Sequence, residues 1–520
     1  MEKKVFGIDL GTTNSAIAVM ENDEVRILKN MDGYETTPSV VFFTGVDSDG
    51  NDESIVGIQA KNAAATSPEN VVQFVKRHMG NQSSAFAYTS PSGKEYSPEM
   101  ISAIILRKVC KDAEQFVGDG HVNDVVITVP AYFDDARRTA TKQAGKIAGL
   151  NVLGVVNEPT AAAISFGIDH GQDGKVLVYD LGGGTFDVTI MNINGGSFDV
   201  MATGGDSQLG GINFDQKLVG LITNQLKEQG CEIDDEDDAL FADIREKAEK
   251  AKIQLTGVER TRPVFTVNNK TYRIDISRES FEAESEDLLQ RTKLITEEVM
   301  GTQNTSWGEI QHLLMVGGST RMPMVKKMLE EMSSKSVVYK IDPDTAVAQG
   351  AAIFAANSSH SLNGMSDATD GVQQVSGKGR ISISDVTSQS LGVITLDSNR
   401  NRQNTIIIPH NTKIPVKRSE EVYTLEDNQT RLNIEVTEGN DEDVEFVRII
   451  GTSMLSIPAY PKGSPVEVVY AYDPDQTIFI EVIDKVTNKS LGTFEIERLS
   501  NMNEKQVSKA TGIVRNAVVD

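Results

Sequence analysis

Two patterns of hydrophobic and polar positions divide the chain. Up to about residue 357, short runs of β-branched residues alternate with longer segments of helical periodicity, and glycines lie at the junctions. This alternation is typical of an α/β domain. Beyond residue 380, apolar runs such as 405–408, 432–436 and 478–482 recur between turn-forming clusters. Short strands at such spacing predict an antiparallel β-sandwich.

The segment 358–380 separates the two patterns. It is rich in Ser, Gly and Asp and poor in large apolar residues, so it buries too little surface to offset its ordering entropy. We therefore predict a linker over 358–380, an α/β domain over 1–357 and a β-sandwich over 381–498. Residues 499–520 return to helical periodicity, and Ser500 is the candidate N-cap of a short terminal helix.

Length and charge narrow the class of protein. A chain of 520 residues exceeds the ~250–300 residues at which single cores stop growing, so two or more domains are expected. Its 50 Lys and Arg face 75 Asp and Glu, and the formal net charge of −25 argues against nucleic-acid binding. Cys110 and Cys231 lie in no CxxC or zinc-ligand pattern. With no long apolar run for a signal peptide or membrane span, we expect a cytoplasmic protein that binds no membrane.

A weak internal repeat carries the candidate chemistry. Residues 6–19 and 178–190 share one form, in which an apolar strand is followed by Asp-Leu-Gly, a turn of small residues and a second apolar strand. The turn glycines let the backbone approach a ligand closely, successive amide groups form an anion-binding nest, and threonine hydroxyls add donors. The turn residues are Gly11, Thr12, Thr13, Asn14, Gly182, Gly183, Gly184 and Thr185.

Three carboxylates flank these turns, namely Asp9, Asp180 and Asp187. Mg²⁺ at a phosphate site keeps several waters and binds through one or two carboxylates. Two such hairpins could bind one phosphate chain from both sides, and together with the carboxylates they indicate a Mg-nucleotide site. The pattern is neither a Walker loop, because no GxxxxGK[ST] occurs, nor a dinucleotide GxGxxG, because the turns join strand to strand. Either turn taken singly is better explained by a tight hairpin, and only the matched pair indicates a ligand site.

Two further segments are candidates for the nucleoside end. Residues 313–323 predict a buried strand, two glycines and a Ser/Thr cap that opens a helix, whose backbone could face a ribose or base. As a lone motif this is an ordinary strand-to-helix turn. A helix over 242–256 places three side chains at i, i+3 and i+7, and therefore on one face. These are Glu249, Lys252 and Thr256. Taken alone, this pattern is also that of an ordinary solvent-exposed charged face.

Lys76 and Glu158 are the remaining candidates. Lys76 is a potential point charge for a γ-phosphate, although most lysines lie at the surface. Glu158 lies between a strand that ends at Val156 and a helix that starts with Pro159. Its carboxylate either complements the helix dipole or serves catalysis at the strand end.

Taken together, these residues resemble the seventy-kilodalton heat-shock (DnaK-type) chaperone family. The motifs occur in the family's order and approximate spacing at 7–15, 129–133, 157–163, 180–187 and 316–321. The resemblance implies an actin-like (ribonuclease H-like) two-lobed ATPase followed by an antiparallel β-sandwich. It also implies that nucleotide binding and slow ATP hydrolysis control the affinity of the sandwich for extended apolar peptides.

The resemblance implies a role for each site residue. The residues with an implied catalytic role are Asp9, Lys76, Glu158, Thr185 and Asp187. Asp9, Asp180 and Asp187 organise Mg²⁺ through water. The implied nucleotide contacts are Gly11, Thr12, Thr13, Asn14, Gly182, Gly183, Gly184, Glu249, Lys252, Thr256, Gly317, Gly318, Ser319, Arg321 and Asp344. ATP or ADP and Mg²⁺ are the implied cofactors, with K⁺ as a further candidate.

The resemblance also implies an interdomain relay and a peptide pocket. Pro130 and Arg138 would couple the nucleotide state to the second domain. By position, the pocket would be lined by Leu396, Tyr423, Leu432 and Ile434, although apolar strand residues equally fill a sandwich core. Unfolded or extended polypeptides are the implied partners, with a J-domain co-chaperone and a nucleotide exchange factor as candidates.

Three features depart from the family pattern. The family's linker is a short, acidic, leucine-rich strand that docks on the ATPase, whereas residues 371–383 are rich in Gly, Ser and Gln. The chain stops at Asp520, so we expect a short form without the long helical lid and with fast peptide release. Ile253 replaces a basic residue beside Lys252, and Asn14 replaces a frequent aromatic, which predicts weaker nucleotide binding.

Two other classes of function use the same scaffold. A small-molecule kinase explains the nucleotide motifs but gives residues 380–498 no role. A nucleotide-dependent scaffold or polymer-forming actin relative would bind nucleotide as an interaction module, and a filament former would sediment with ATP.

Overall fold

The protein is described by a computed structural model. It describes residues 4–22, 24–80, 86–117, 121–170, 172–234, 237–337, 341–363, 373–375, 379–397, 399–473, 478–495 and 501–520. Within these ranges the chain forms two α/β lobes, a β-sandwich and a C-terminal helix. None of the described helices is long and apolar enough to span a membrane.

The first lobe is built on a sheet of buried strands. Its helices are α1 (Ile58–Ala63), α2 (Pro98–Glu114), α3 (Asp135–Ile147) and α4 (Glu158–His170). Its strands are β1 (Val5–Leu10), β2 (Asn14–Glu21), β3 (Glu24–Leu28), β4 (Thr37–Pro38), β5 (Val41–Val46), β6 (Asp52–Val56), β7 (Val71–Val72), β8 (Tyr88–Thr89), β9 (Glu95–Tyr96), β10 (Asp124–Val129) and β11 (Asn151–Asn157). The main sheet has the order β11-β10-β1-β2-β3, and β4 pairs with β2.

The second lobe repeats this plan. Its strands are β12 (Gly174–Leu181), β13 (Phe186–Asn194), β14 (Ser197–Asp206), β15 (Arg260–Thr261), β16 (Val264–Val267), β17 (Lys270–Arg273), β18 (Ile276–Ser277) and β19 (His312–Val316). Its helices are α5 (Gly211–Glu228), α6 (Asp238–Gly257), α7 (Arg278–Glu284), α8 (Glu286–Thr302) and α9 (Pro323–Ser333), and helix α10 (Ala346–Asn363) comes after them in the chain. In each lobe an antiparallel hairpin, β1-β2 or β12-β13, has a parallel strand, β10 or β19, on its other side.

Small residues pack helix α10 tightly against the first lobe. Helix α10 follows the second lobe in sequence but packs on α4 and β1 of the first. A side chain at Gly350 would place its Cβ only 1.7 Å from the carbonyl oxygen of Ala161, and one at Gly7 would lie 2.1 Å from the nitrogen of Ala352. Only glycine permits these close backbone contacts, which fix α10 on the sheet of the first lobe.

The predicted linker begins and ends in regular structure. Helix α10 continues past residue 357 to Asn363, because no Gly or Pro interrupts the sequence between residue 357 and Gly364. Two strands follow, β20 (Gln373–Val375) and β21 (Gly379–Ser384), and β21 pairs in parallel with β14 of the second lobe. The rest of the predicted linker, residues 364–372 and 376–378, lies outside the described residues.

The sandwich consists of two antiparallel sheets. Its strands are β22 (Leu391–Leu396), β23 (Arg402–Ile408), β24 (Val416–Tyr423), β25 (Gln429–Glu438), β26 (Arg448–Tyr460), β27 (Pro465–Tyr472), β28 (Ile478–Asp484) and β29 (Lys489–Glu495). The sheet orders are β23-β22-β25-β26 and β24-β27-β28-β29. Alternate residues such as Val466, Val468 and Tyr470 are fully buried between the sheets, as the period of two requires.

The terminal helix docks on the first lobe. Helix α11 (Glu504–Asn516) packs on α2 and α3, and β30 (Val518–Val519) extends the β6-β5-β7 sheet. The N-cap is Asn503, whose side chain accepts a hydrogen bond from Gln506 N. The prediction that Ser500 caps this helix was therefore wrong in position, since the Asn503 capping box starts it later, and Ser500 lies outside the described residues.

Candidate functional site

A cleft of about 370 Å³ lies between the two lobes. It brings together residues predicted from segments far apart in sequence. Of the predicted site residues, it is lined by Asp9, Gly11, Thr12, Thr13, Asn14, Lys76, Glu158, Asp180, Gly182, Gly183, Thr185, Glu249, Lys252, Thr256, Gly317, Gly318, Ser319, Arg321 and Asp344. Gly184 and Asp187 lie next to this lining, the latter directly opposite Asp180 in the β12-β13 ladder.

The two hairpin turns meet at the centre of the cleft. A Cβ added to Gly183 would lie 2.4 Å from Thr13 Cγ2, and one added to Gly184 would lie 2.5 Å from the Thr12 side chain. The turns therefore require glycine at these positions. Their amide groups and threonine hydroxyls share one small space, which suits a chain of phosphate groups.

A buried ion pair lies beside the turns. Lys76 Nζ is 2.5 Å from Glu158 Oε1, and the lysine is only 5% exposed. Burial opposes its charge, but the carboxylates of Glu158 and Asp9 together outweigh burial and raise the pKa of Lys76. Lys76 therefore remains a cation inside the cleft.

The neighbouring aspartates have raised pKa values. Burial, and then the charge of Glu158, raise the pKa of both Asp9 and Asp187 to about 7. Thr128 Oγ1 donates to Asp9 at 3.0 Å, and Tyr132 N donates to Asp187 at 2.8 Å. Burial also raises the pKa of Asp180, with Glu158 and Asp187 adding to the effect.

This end of the cleft carries an excess of negative charge. Four carboxyl groups, of Asp9, Glu158, Asp180 and Asp187, lie around the ammonium of Lys76, and in their ionised forms they repel a polyphosphate unless a cation accompanies it. In the described ranges, no group of three or more His, Cys, Asp and Glu side chains converges to hold a metal directly. Separated hard carboxylates suit Mg²⁺, which dehydrates reluctantly and keeps its waters. The residues thus fit a hydrated cation, with Asp9, Asp180 and Asp187 as its predicted partners.

The opposite end of the cleft is formed by helix α6. Lys252 Nζ lies 2.8 Å from Asp215 Oδ1 and donates to the carbonyl oxygen of Gly211 at 3.0 Å. These two contacts fix the ammonium at the wall of the cleft. Asp215 was missed by sequence reasoning, because nothing local marks it as the partner of a residue on the next helix.

A salt bridge closes the mouth of the cleft. Lys61 Nζ on α1 of the first lobe donates to Glu249 Oε1 on α6 of the second at 2.7 Å. Both side chains are partly exposed, at 30% and 26%. The pair spans 188 residues of sequence, so no spacing rule could have indicated Lys61.

The wall opposite α6 begins with Gly317, which follows β19 with φ of 81°. The sequence predicted that Ser/Thr caps the next helix, and this was wrong. Ser319 Oγ instead donates to the carbonyl oxygen of Gly182 at 2.9 Å, and α9 begins at Pro323 with Met322 as its N-cap. A short 3₁₀ turn over Gly318–Arg321 takes up the intervening residues. Further lining residues that the sequence did not indicate are Thr36, Pro343 and Val347.

A hydrogen-bonded chain leads from the cleft to the sandwich. Arg138 is buried and donates to Asn157 Oδ1 at 2.6 Å, and Asn157 Nδ2 donates to Asp385 Oδ2 at 2.7 Å. Arg138 Nε also donates to the carbonyl oxygen of Phe133, at 3.1 Å. The carbonyl oxygen of Pro130 accepts from Phe133 N at 3.1 Å. The two predicted relay residues thus support the segment that contacts Asp187 through Tyr132.

Polar contacts dock the sandwich on both lobes. Asn411 Oδ1 accepts from Thr203 N at 2.9 Å, and Lys413 Nζ lies 2.7 Å from Asp199. Arg448 bridges Asp134 of the first lobe, at 2.8 Å, and Glu438 of the sandwich, at 3.3 Å. Burial, and then the carboxylate of Asp134, raise the pKa of Glu438 to about 8.

The four predicted peptide residues lie in two different environments. Leu432 and Ile434 are buried in the sandwich core. Leu396 and Tyr423 are 37% and 55% exposed, and Tyr423 belongs to the other sheet. Their peptide-binding role stays a prediction.

Comparison with known protein families gives one match over nearly the whole chain. A family model described as Hsp70 protein matches residues 5–512. The match covers both lobes, the sandwich and most of helix α11.

Proposed function

The chain belongs to the Hsp70 family of ATP-dependent chaperones, and from this premise we propose that it binds and slowly hydrolyses Mg-ATP in the cleft between its lobes. Members of this family are ATPases. The observation that carries the proposal is the meeting of the two glycine turns beside Lys76 and four carboxylates. This arrangement is suited to phosphate and to a hydrated cation at once.

The proposed hydrolysis is an in-line attack of water on the γ-phosphorus, in which the bond to the leaving ADP oxygen breaks. Lys76 places a positive charge where the transition state spreads negative charge. The carboxylates of Asp187 and Glu158 orient the attacking water, and Asp187 takes up its proton. A pKa near 7 suits Asp187 to that exchange at neutral pH. Bound Mg²⁺ would supply further charge neutralisation on the phosphate oxygens.

The nucleoside is proposed to lie between α6 and the Gly317–Ser319 turn. Glu249, Lys252 and Thr256 line one side, and the contacts of Lys252 to Asp215 and Gly211 preorganise its ammonium. Arg321 and Asp344, an ion pair at 2.6 Å, complete the rim.

We further propose that nucleotide state controls the affinity of the sandwich for extended apolar peptides. Support comes from the contacts that join Asp187 to Tyr132, and Arg138 through Asn157 to Asp385. Strand β21, paired with β14, ties the sandwich to the second lobe. A change in the cleft that moves Tyr132 would therefore reach the domain interface.

Unfolded polypeptides are the proposed partners. The sandwich would bind them, and the actin-like ATPase would control that binding. A J-domain co-chaperone, a nucleotide exchange factor and K⁺ belong to the same proposal. The reducing cytoplasm is the proposed compartment, which agrees with Cys110 and Cys231 both being free and buried.

The test is phosphate release from ATP in single turnover, with Mg²⁺ or with a chelator, by the native chain and by Asp187→Asn. We expect release that needs Mg²⁺ and falls by at least ~10²-fold in the variant. Asp32→Asn, an exposed aspartate outside the cleft, is the matched control and should match the native rate. Transfer of phosphate to a sugar or polyol in place of water would contradict the proposal, as would unchanged release by Asp187→Asn.

A further inference from the structure

A second groove, of about 430 Å³, lies on the second lobe between α8 and α9. It shares no lining residue with the nucleotide cleft. Its apolar lining consists of Met324, Met328 and Met332 from α9, with Leu289 from α8 and Trp307, and Met324 and Met328 also belong to the hydrophobic core of the lobe. The nucleotide and peptide proposals leave this surface without a role.

The methionines form a regular stripe. Met324, Met328 and Met332 follow one another at i, i+4 and i+8, so they occupy one face of α9. Met324 and Met328 are 5% and 7% exposed, whereas Met332 is half-buried. Unbranched, polarisable methionine side chains repack easily against an incoming apolar surface. The apolar lining therefore suits a partner's side chains better than a rigid small molecule.

The rim of the groove is acidic. Glu282, Glu286 and Glu331 line it, and none of the three forms an ion pair within the described part of the chain. A fourth carboxylate, Glu297, is 4.0 Å from Lys293, and Lys327 is the other rim cation. Four carboxylates against two ammonium groups give the rim a negative balance.

From this geometry we propose that the groove binds one face of a short amphipathic helix that carries Lys or Arg, supplied by a partner protein. Apolar side chains at i and i+4 of such a helix would lie on the methionine stripe. Its cations would meet the free carboxylates of Glu282, Glu286 and Glu331. The chain's net charge of −25 would speed the encounter with a basic segment.

Trp307 makes the proposal directly measurable. It is the one tryptophan in the sequence and it lines the groove. Its emission therefore reports occupancy of this surface, separately from peptide bound at the sandwich.

The experiment titrates the full chain with a synthetic amphipathic helix of Leu, Ala and Lys that contains no aromatic residue. Trp307 emission gives site occupancy, and the anisotropy of a labelled peptide gives total binding. We expect a saturable emission change that weakens with salt. The Glu286→Lys/Glu331→Lys variant should raise the apparent Kd at least ~10-fold, because both side chains are exposed rim charges.

The matched control is Glu228→Lys/Glu259→Lys, which makes the same charge change at exposed positions outside the groove lining. It should bind as the native chain does. The proposal is overturned by equal loss of affinity in the control, by equal binding of a scrambled peptide, or by equal binding of a peptide with Glu in place of Lys. Peptide binding without a change in Trp307 emission also overturns it. The rim variant should hydrolyse ATP at the native rate. A failure of the groove proposal can therefore be told apart from a failure of the ATPase proposal.

Discussion

Lys76 and Glu158 form an ion pair of 2.5 Å at the buried end of the interlobe cleft, although 82 residues separate them in sequence. The pair joins a 3₁₀ turn of the first lobe to the start of helix α4. It keeps one positive charge among four carboxylates, directly beside the two glycine turns. The account of the cleft as an ATP site depends on this charge.

Removing that charge should abolish most of the hydrolysis. Lys76→Ala deletes the ammonium that faces the transferring phosphoryl group, and we expect turnover to fall by at least ~10²-fold. Steady-state phosphate release measures this. Lys29→Ala, at an exposed lysine outside the cleft, should keep the native rate. Equal rates for the native chain and Lys76→Ala would remove Lys76 from the mechanism.

Breaking the bridge at the cleft mouth should speed nucleotide release. Lys61→Glu replaces the contact to Glu249 with repulsion between the two lobes. Because the pair is partly exposed, it contributes about 0–1 kcal/mol, so dissociation should quicken by up to about fivefold. Stopped-flow release of a fluorescent ADP analogue measures the rate. Lys61→Arg, which keeps a cation opposite Glu249, should release the analogue at the native rate, and equal rates for Lys61→Glu and the native chain would argue against a bridge that slows release.

Nucleotide binding should release protons near neutral pH. The pKa of Asp9 and of Asp187 is raised to about 7, so each carboxyl is partly protonated in the free protein at that pH. A cation-bound phosphate favours the ionised carboxylates, so binding expels these protons and affinity should fall as pH drops below about 7. Calorimetry in two buffers of different ionisation enthalpy gives the proton count. Proton uptake, or affinity that rises in acid, would contradict these protonation states.

Coupling should depend on the contact between Asn157 and Asp385. Asp385→Ala removes the acceptor on the sandwich side while leaving the cleft residues in place. We expect basal ATP turnover to stay native and its response to apolar peptide to be lost. Glu426→Ala, at an exposed sandwich position, should retain the response. A native response in Asp385→Ala would place the coupling elsewhere in the interface.

The repeated Asp-Leu-Gly motif allowed many of the residues that line the cleft to be predicted from the sequence. Asp-Leu-Gly followed by small residues between apolar strands predicted both hairpins, because that local chemistry forms a tight turn wherever it occurs. Contacts made only by tertiary packing gave no such signal. The bridge from Lys61 to Glu249 and the hydrogen bond from Ser319 to Gly182 each join segments far apart in sequence.

The ends of helices and the exposure of side chains were harder to predict than the presence of helices and strands. The first glycine or proline after residue 357 is Gly364, so the sequence marks no helix end at the predicted boundary, and α10 continues to Asn363. Leu432 and Ile434 fill the sandwich core while Tyr423 is exposed. Apolar strand residues look alike in sequence, and only the packing of the two sheets decides which of them face inward.

Steady-state ATP hydrolysis by the native chain, with and without a saturating extended apolar peptide, tests whether the cleft is coupled to the sandwich. We expect Mg²⁺-dependent turnover that the peptide stimulates. Turnover that is the same with and without peptide would contradict the coupling, and an absence of turnover would contradict the ATPase itself.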